Sequence, residues 1–229
     1  MITLHKEAKL YPNSSRDPFV GSLSLFRESD FYCKSRQTSK LPETHEFDER
    51  VIAAYEFLYE IFRPVWGGKA KPRFTSTLRL PGDPNYRTST GNLSYHSRSR
   101  AADGNWNQYG QDVEDYIVCV VGYDLSIKGD IYRRLREIGI GSIGTYYREP
   151  EGTFIHMDTR EGWLHFRKVK SHKMRQAKQW HTEWKEQIRY DFAASAALGI
   201  GGDCDDANIS DFAYTSCWSV TYWLSLIHI

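Results

Sequence analysis

Residues 94–103 read Ser-Tyr-His-Ser-Arg-Ser-Arg-Ala-Ala-Asp, with a histidine and an aspartate seven residues apart. Downstream, residues 154–158 read Phe-Ile-His-Met-Asp and supply a second histidine in a strand-like context. His96, Asp103 and His156 therefore offer two imidazoles and one carboxylate. Three protein ligands of this kind, with a fourth position left to water, are what a catalytic zinc site needs. We expect the rest of the chain to be the scaffold that brings these segments together.

The sequence around His96 and Asp103 favours a loop that runs into a strand. A helix would place residues seven apart on one face, since two helical turns nearly close at that spacing. The serine-rich composition and the flanking Gly91 and Gly104 argue against a helix.

Two segments further along the chain predict a β-hairpin. Residues 141–147 and 154–159 are strand-like, and the residues between them include a proline and a glycine that favour a turn. Strand alternation then places Phe154, His156 and Asp158 on one face of the second strand. Ile155 and Met157 lie on the opposite face, which we expect to be the core.

The remaining patterns complete the prediction of an α+β fold. Apolar residues at helical spacing over residues 51–62 predict an amphipathic helix that ends at Pro64 and the glycines after it. Residues 129–138 predict a second helix. Residues 72–80 predict a short strand, and the apolar run at residues 116–121 predicts a buried strand.

Composition limits the classes of protein to which the chain can belong. Its 229 residues suffice for one ordinary domain plus extensions, and 40% hydrophobic residues suffice for a packed core. A formal net charge of +1 gives no bulk attraction to nucleic acid or membrane, so we expect no specific nucleic-acid partner. No apolar run is long enough to span a bilayer, and residues 1–7 lack the pattern of a signal peptide. The four cysteines form no Cys-x-x-Cys pair, which argues against a cysteine-based zinc site.

Three blocks of sequence carry a resemblance to a known family. Residues 75–79 read Thr-Ser-Thr-Leu-Arg, and residues 94–103 follow Ser-x-His-x-x-Gly-x-Ala-x-Asp with Ser99 at the glycine position. Residues 144–147 and 154–159 read Gly-Thr-Tyr-Tyr and Phe-Ile-His-Met-Asp-Thr. In this order and spacing, the blocks resemble the zinc-dependent D-alanyl-D-alanine carboxypeptidases and murein endopeptidases, peptidase family M15. The resemblance extends over roughly residues 20 to 165.

The resemblance implies a fold, a cofactor, a substrate class and roles for four residues. The fold would be the α+β fold of hedgehog and D,D-peptidase domains, a small antiparallel sheet with flanking helices. His96, Asp103 and His156 would bind Zn²⁺. Arg79 would bind a substrate carboxylate or the oxyanion, which suits its planar, always-charged group. The substrates would be the peptide stems of peptidoglycan.

The general base is less well defined than the ligands. Many relatives have an acidic residue three positions before the last histidine, where this chain has Thr153. Asp158 and Glu151 are the available carboxylates. Asp158 is favoured as the base because it shares a strand face with His156, and the alternative is that it orients that ligand.

The resemblance also divides the chain into four parts. These are an N-terminal extension at residues 1–19, a zinc peptidase domain at 20–169, a basic helix with a C-terminal extension at 170–223, and residues 224–229. We expect residues 170–223 to be unnecessary for metal binding, since all three ligands precede them. Residues 224–229, Leu-Ser-Leu-Ile-His-Ile, look like one reading frame of a common sequencing adapter, so we interpret them as an artefact.

Residues 166–189 carry eight Lys or Arg against two Glu. Such a stretch is either a solvated helix face or a surface that attracts anionic wall polymers or nucleic acid. Five histidines outside the three blocks are expected to be solvated: His45, His165, His172, His181 and His228.

Two classes of function fit these patterns. The first is a zinc peptidase that acts on the bacterial cell wall, as a carboxypeptidase or an endopeptidase, with a phage lysin as one form of it. The second is a binding module that keeps the fold and uses the metal for structure. A location outside or inside the cell is left open.

Overall fold

A computed structural model describes residues 1–7, 26–32 and 42–197, with the side chains of the last seven left out. The sequence-based predictions for residues 8–19 and 198–229, including the adapter-like end, lie outside the described residues. Within them, the chain alternates strands and helices, and the α+β class is confirmed.

Five strands form the central sheet, in the order β3-β4-β6-β5-β7. Three of its four neighbouring pairs are antiparallel, as predicted, while β7 pairs with β5 in parallel. A separate antiparallel ladder joins β1 to β2. The strands are β1 (Ile2–His5), β2 (Thr44–Phe47), β3 (Arg73–Ser76), β4 (Ala101–Asn105), β5 (Ser142–Glu149), β6 (Gly152–Asp158) and β7 (Leu164–Phe166).

Four α-helices lie around this sheet. They are α1 (Glu49–Trp66), α2 (Gln111–Ile127), α3 (Asp130–Ile138) and α4 (Met174–Ala197). Helix α1 begins at Asp48, whose carboxylate accepts a hydrogen bond from the Arg50 N–H at 3.2 Å. Pro64 lies inside its last turn, and Gly67, at a φ of 55°, ends the helix. None of the helices in the described residues has the length and apolar character that crossing a membrane requires.

The expectation of a buried strand at residues 116–121 was wrong, because these residues form the middle of α2. Ile117, Val118, Val120 and Val121 are all fully buried. A helix that is covered on several sides has apolar residues all round, so a short apolar run does not separate it from a buried strand.

The two faces of the central sheet have different surroundings. On one face, the Tyr55 hydroxyl of α1 donates to the carbonyl of Ile155 at 2.6 Å and lies 3.1 Å from that of Ala102. Gly104 permits this approach, since a Cβ there would lie 2.6 Å from the Tyr55 ring. Ile155 and Met157 are fully buried on this side, as predicted. The opposite face is left open for a site.

Helix α4 is part of the core rather than an extension beyond residue 169. Trp184 is fully buried, and its indole N–H donates to the Ile61 carbonyl of α1 at 2.8 Å. His181, predicted to be solvated, is instead buried and lies 2.9 Å from the Asp124 carboxylate of α2. On the outer face of α4, Arg175, Lys178 and Arg189 are exposed, so the predicted solvated basic face is present.

Candidate metal centre

Strand register brings the three predicted ligands together. Asp103 on β4 lies directly opposite His156 on β6, and both face the open side of the sheet. His96 lies just before β4, in a 3-10 turn that ends at Ser99. Ser99 has a φ of 61°, a left-handed conformation that glycine adopts most easily. The sequence pattern of the peptidases that the chain resembles has glycine at this position.

The candidate ligand atoms lie close enough together to share one metal ion. The His96 Nε2 lies 3.2 Å from the His156 Nδ1 and 3.4 Å from the Asp103 Oδ2. The His156 Nδ1 lies 2.7 Å from the Asp103 Oδ1. Zinc bonds of about 2.0–2.1 Å place tetrahedral ligands roughly 3.3–3.4 Å apart, which two of these distances match. The three residues form the group that could hold a metal ion within the described chain.

Each histidine has a second partner on its remaining ring nitrogen. The His156 Nε2 lies 3.0 Å from the Asp158 Oδ2, and the His96 Nδ1 lies 3.5 Å from the Ser76 Oγ. Ser76 faces the site because β3 has one extra residue, Thr75, between the residues that pair with Gly104 and Asp103. Such bulges redirect side chains. Outer partners of this kind fix the orientation of metal-binding histidines.

Asp158 lies behind His156 rather than beside the ligand atoms. It is fully buried and accepts two hydrogen bonds from the Arg160 guanidinium, at 2.8 and 2.5 Å. Burial alone would raise the pKa of Asp158, but the hydrogen bonds from Arg160 and His156 lower it. This geometry favours the orienting role over that of a general base.

The protein groups around the site also set the charge of its ligands. Burial alone would lower the pKa of His156, but its hydrogen bonds with Asp103 and Asp158 raise it to about 9. Burial lowers the pKa of His96, so this ring is neutral near pH 7. Burial alone would raise the pKa of Asp103, but His96 and His156 hold it well below its usual range. A metal at the His156 Nδ1 competes with a proton there.

Arg79, for which the resemblance implies a substrate-binding role, lies next to the candidate ligands. Its Nη2 is 3.8 Å from the Asp103 Oδ2, and its Nη1 donates to the Asn85 carbonyl at 3.3 Å. The Nε is buried and has no hydrogen-bond partner among residues 1–7, 26–32 and 42–197. The side chain also lines the groove in front of the three candidate ligands.

A groove of about 1070 Å³ opens in front of the three ligands. Aromatic side chains form one wall, where Tyr146 and Phe154 stack with their ring centres 4.0 Å apart. The Phe166 ring lies 5.6 Å from the His156 ring. Gly144 leaves room for it, since a Cβ there would lie 2.5 Å from the Phe166 ring. The sequence analysis did not identify Phe166, Ser76 or Arg160 as residues of the site. Gly144 was the available signal for Phe166, since a glycine within a strand indicates that another group approaches the backbone closely.

The residues considered for a general base have other surroundings. Thr153 is buried, and its hydroxyl accepts a hydrogen bond from the Arg148 N–H at 3.0 Å. Glu151 lies at the groove but is about half exposed, at 52%, and is 3.8 Å from Arg167.

His165, predicted to be solvated, is half-buried against Thr145, and burial lowers its pKa to about 4.

Comparisons of the chain with protein-family models, with curated proteins and with solved structures gave no match. The site geometry and the residue patterns therefore carry the functional interpretation.

Proposed function

We propose that the protein is a zinc-dependent peptidase with the hedgehog and D,D-peptidase fold. Its substrates would be the stem peptides or peptide cross-links of bacterial peptidoglycan. The observation that carries the proposal is the group of His96, Asp103 and His156, whose ligand atoms lie within 4.8 Å of one another at an open groove. The three blocks of sequence that resemble such peptidases support the substrate class.

The donor set suits zinc better than the hard cations. Two imidazole nitrogens and one carboxylate oxygen are common ligands of catalytic zinc, whereas magnesium and calcium prefer oxygen ligands alone. Both histidines have outer partners in Ser76 and Asp158. The protein contributes three ligands, which leaves a fourth position for water or substrate.

The roles of the protein residues follow from their positions. Zinc in such a site lowers the pKa of a bound water to about 7 and polarises a carbonyl. Asp158 holds the His156 ring so that its Nδ1 faces the other ligands. Arg79 lies 3.8 Å from Asp103 and lines the same groove, so its guanidinium can bind a substrate carboxylate or a developing oxyanion.

A second candidate function is a non-catalytic module of the same fold that binds the cell wall and keeps zinc for structure. The observation in its favour is Thr153, which stands where many relatives have an acid and whose hydroxyl is already used by the Arg148 N–H. Without a carboxylate there, proton transfer needs another group.

The first experiment measures zinc content and hydrolysis together. The purified protein should contain about one zinc per chain and should release peptide fragments from peptidoglycan, identified by mass. His96→Ala, Asp103→Ala and His156→Ala should each lower zinc content and abolish hydrolysis. Arg79→Ala is the matched control, because it should keep zinc while turnover falls roughly 10²–10³-fold, as for the loss of one transition-state donor.

Two outcomes would contradict the proposal in different ways. A protein that stays free of zinc after refolding with excess metal, and cuts no stem peptide, would refute both candidate functions. Full zinc occupancy without hydrolysis of any wall substrate would favour the binding module.

A further inference from the structure

One carboxylate at the groove has no cationic partner. Glu114, in the first turn of α2, is 6% exposed and lines the same groove as the three ligands. Its Oε1 accepts a long hydrogen bond, 3.4 Å, from the Trp106 N–H. No lysine or arginine of the described chain pairs with Glu114. Burial raises the pKa of Glu114, and the nearby charge of Asp115 raises it further. A buried carboxylate in this position is costly unless a partner joins it.

An acceptor without a partner lies near Glu114. The side-chain oxygen of Asn105 is buried and has no hydrogen-bond partner in the described parts of the chain. Asn105 directly precedes Trp106, whose N–H contacts Glu114, and it also lines the groove. It lies two residues after Asp103 on β4, so both side chains face the same side of the sheet.

The other two groove glutamates differ from Glu114 in this respect. Glu149 lies 3.5 Å from the Lys170 ammonium, and Glu151 lies 3.8 Å from the Arg167 guanidinium. The protein thus supplies a cation for each of them and leaves Glu114 to the contents of the groove.

We propose that Glu114 and Asn105 form a subsite for a primary ammonium group of the substrate. An ammonium carries three donors and a positive charge, so it would satisfy both the carboxylate and the amide oxygen. This inference rests on the proposed peptidase function, and it specifies a feature of the substrate. The peptide would need either a free amino terminus or a diamino acid side chain at a fixed distance from the bond at the metal centre.

That distance follows from the strand. Asp103 and Asn105 are two residues apart on β4, and a strand advances about 3.3–3.4 Å per residue. An extended peptide along the groove advances by the same step. The ammonium therefore belongs about two to three residues from the bond that is cut.

The test uses one stem pentapeptide, L-Ala-γ-D-Glu-L-Lys-D-Ala-D-Ala, in four forms. The α-amine and the lysine amine are each left free or acetylated, and binding to the zinc-loaded protein is measured by calorimetry, with KM for any form that is cut. Acetylation of one of the two amines should weaken binding about 10- to 100-fold, as expected for losing a charged hydrogen bond. The amine that matters identifies the source of the ammonium.

Glu114→Gln should bind the free and acetylated forms equally and keep its zinc. Glutamine retains the acceptor for the Trp106 N–H, so the fold should be preserved. Asn105→Ala should reduce the preference in the same direction. Glu151→Gln is the matched control, since it removes the same charge from the same groove but from a carboxylate that already has a cation, and it should keep the preference.

Equal binding of all four forms to the native protein, binding of none of them, or a preference that survives Glu114→Gln would overturn the subsite. Preferential binding without hydrolysis would leave the subsite standing and remove the peptidase. Hydrolysis without any preference between the four forms would support the peptidase and refute the subsite.

Discussion

Replacing Asp158 by asparagine separates its two possible roles. Asparagine keeps the size of the side chain but removes its charge, and an amide NH₂ replaces one of the two oxygens that accept from Arg160. A hydrogen bond to a charged group, such as that between Asp158 and His156 at 3.0 Å, contributes about 1.5–3 kcal/mol. At about 1.4 kcal/mol per tenfold change, that corresponds to a loss of roughly 10- to 100-fold in zinc affinity.

Zinc affinity is measured by competition with a chelator of known affinity, and turnover is measured at saturating zinc. If Asp158 orients His156, the affinity of Asp158→Asn should fall by that factor and much of the activity should return when zinc is saturating. Glu151→Gln provides the control, because it removes a carboxylate that is 52% exposed at the same groove and should leave zinc affinity unchanged. Unchanged zinc affinity with turnover reduced 10²-fold or more would refute the orienting role and identify Asp158 as the base.

Three further predictions concern the scaffold. Trp184→Ala should lower the free energy of unfolding by about 3–5 kcal/mol in urea titrations, since a fully buried tryptophan is lost. A chain that ends at residue 169 lacks this tryptophan and the rest of α4, and it should not fold. Gly144→Ala should cost about 1–3 kcal/mol in the same assay, because its Cβ would lie 2.5 Å from the Phe166 ring, and an unchanged stability would show that the ring moves freely. Burial alone would raise the pKa of Asp48, but its arginine and threonine hydrogen bonds lower it, so its stabilisation is present above pH 4 and is lost as the pH falls through the folded pKa. Asp48→Asn should therefore destabilise the protein more at pH 7 than at a pH below the folded pKa of Asp48, and an equal effect at both pH values would exclude this linkage.

The three ligands could be predicted from the sequence because each lies in a short segment with strong local preferences. Phe154, His156 and Asp158 alternate with fully buried residues, so the strand pattern alone places His156 on the face away from the core. The pairing of Asp103 with His156 is a contact between residues 53 apart, and no local pattern specifies it. The resemblance to a family supplied that information.

The parts that could not be predicted depend on packing between distant elements. Residues 116–121 read as a strand because α2 is covered by the sheet on one side and by α4 on the other. His181 read as solvated because its partner Asp124 lies 57 residues earlier. Ser76 faces His96 only because of the bulge in β3, and a bulge depends on the register of the neighbouring strand.

If the site binds a metal ion, the separation of its ligands along the chain links metal content to folding. His96 and His156 are 60 residues apart, so joining them through one ion closes a loop that contains α2, α3 and β5. A covalent cross-link over a loop of that length lowers the entropy of the unfolded chain and stabilises the fold by about 4 kcal/mol. A tightly bound ion would also stabilise the folded chain relative to the unfolded chain. A chelator would therefore act on this protein as a selective denaturant. Residues 96–156 would lose protection against hydrogen exchange first, while the ladder of β1 and β2, outside the loop, would be affected only through global unfolding.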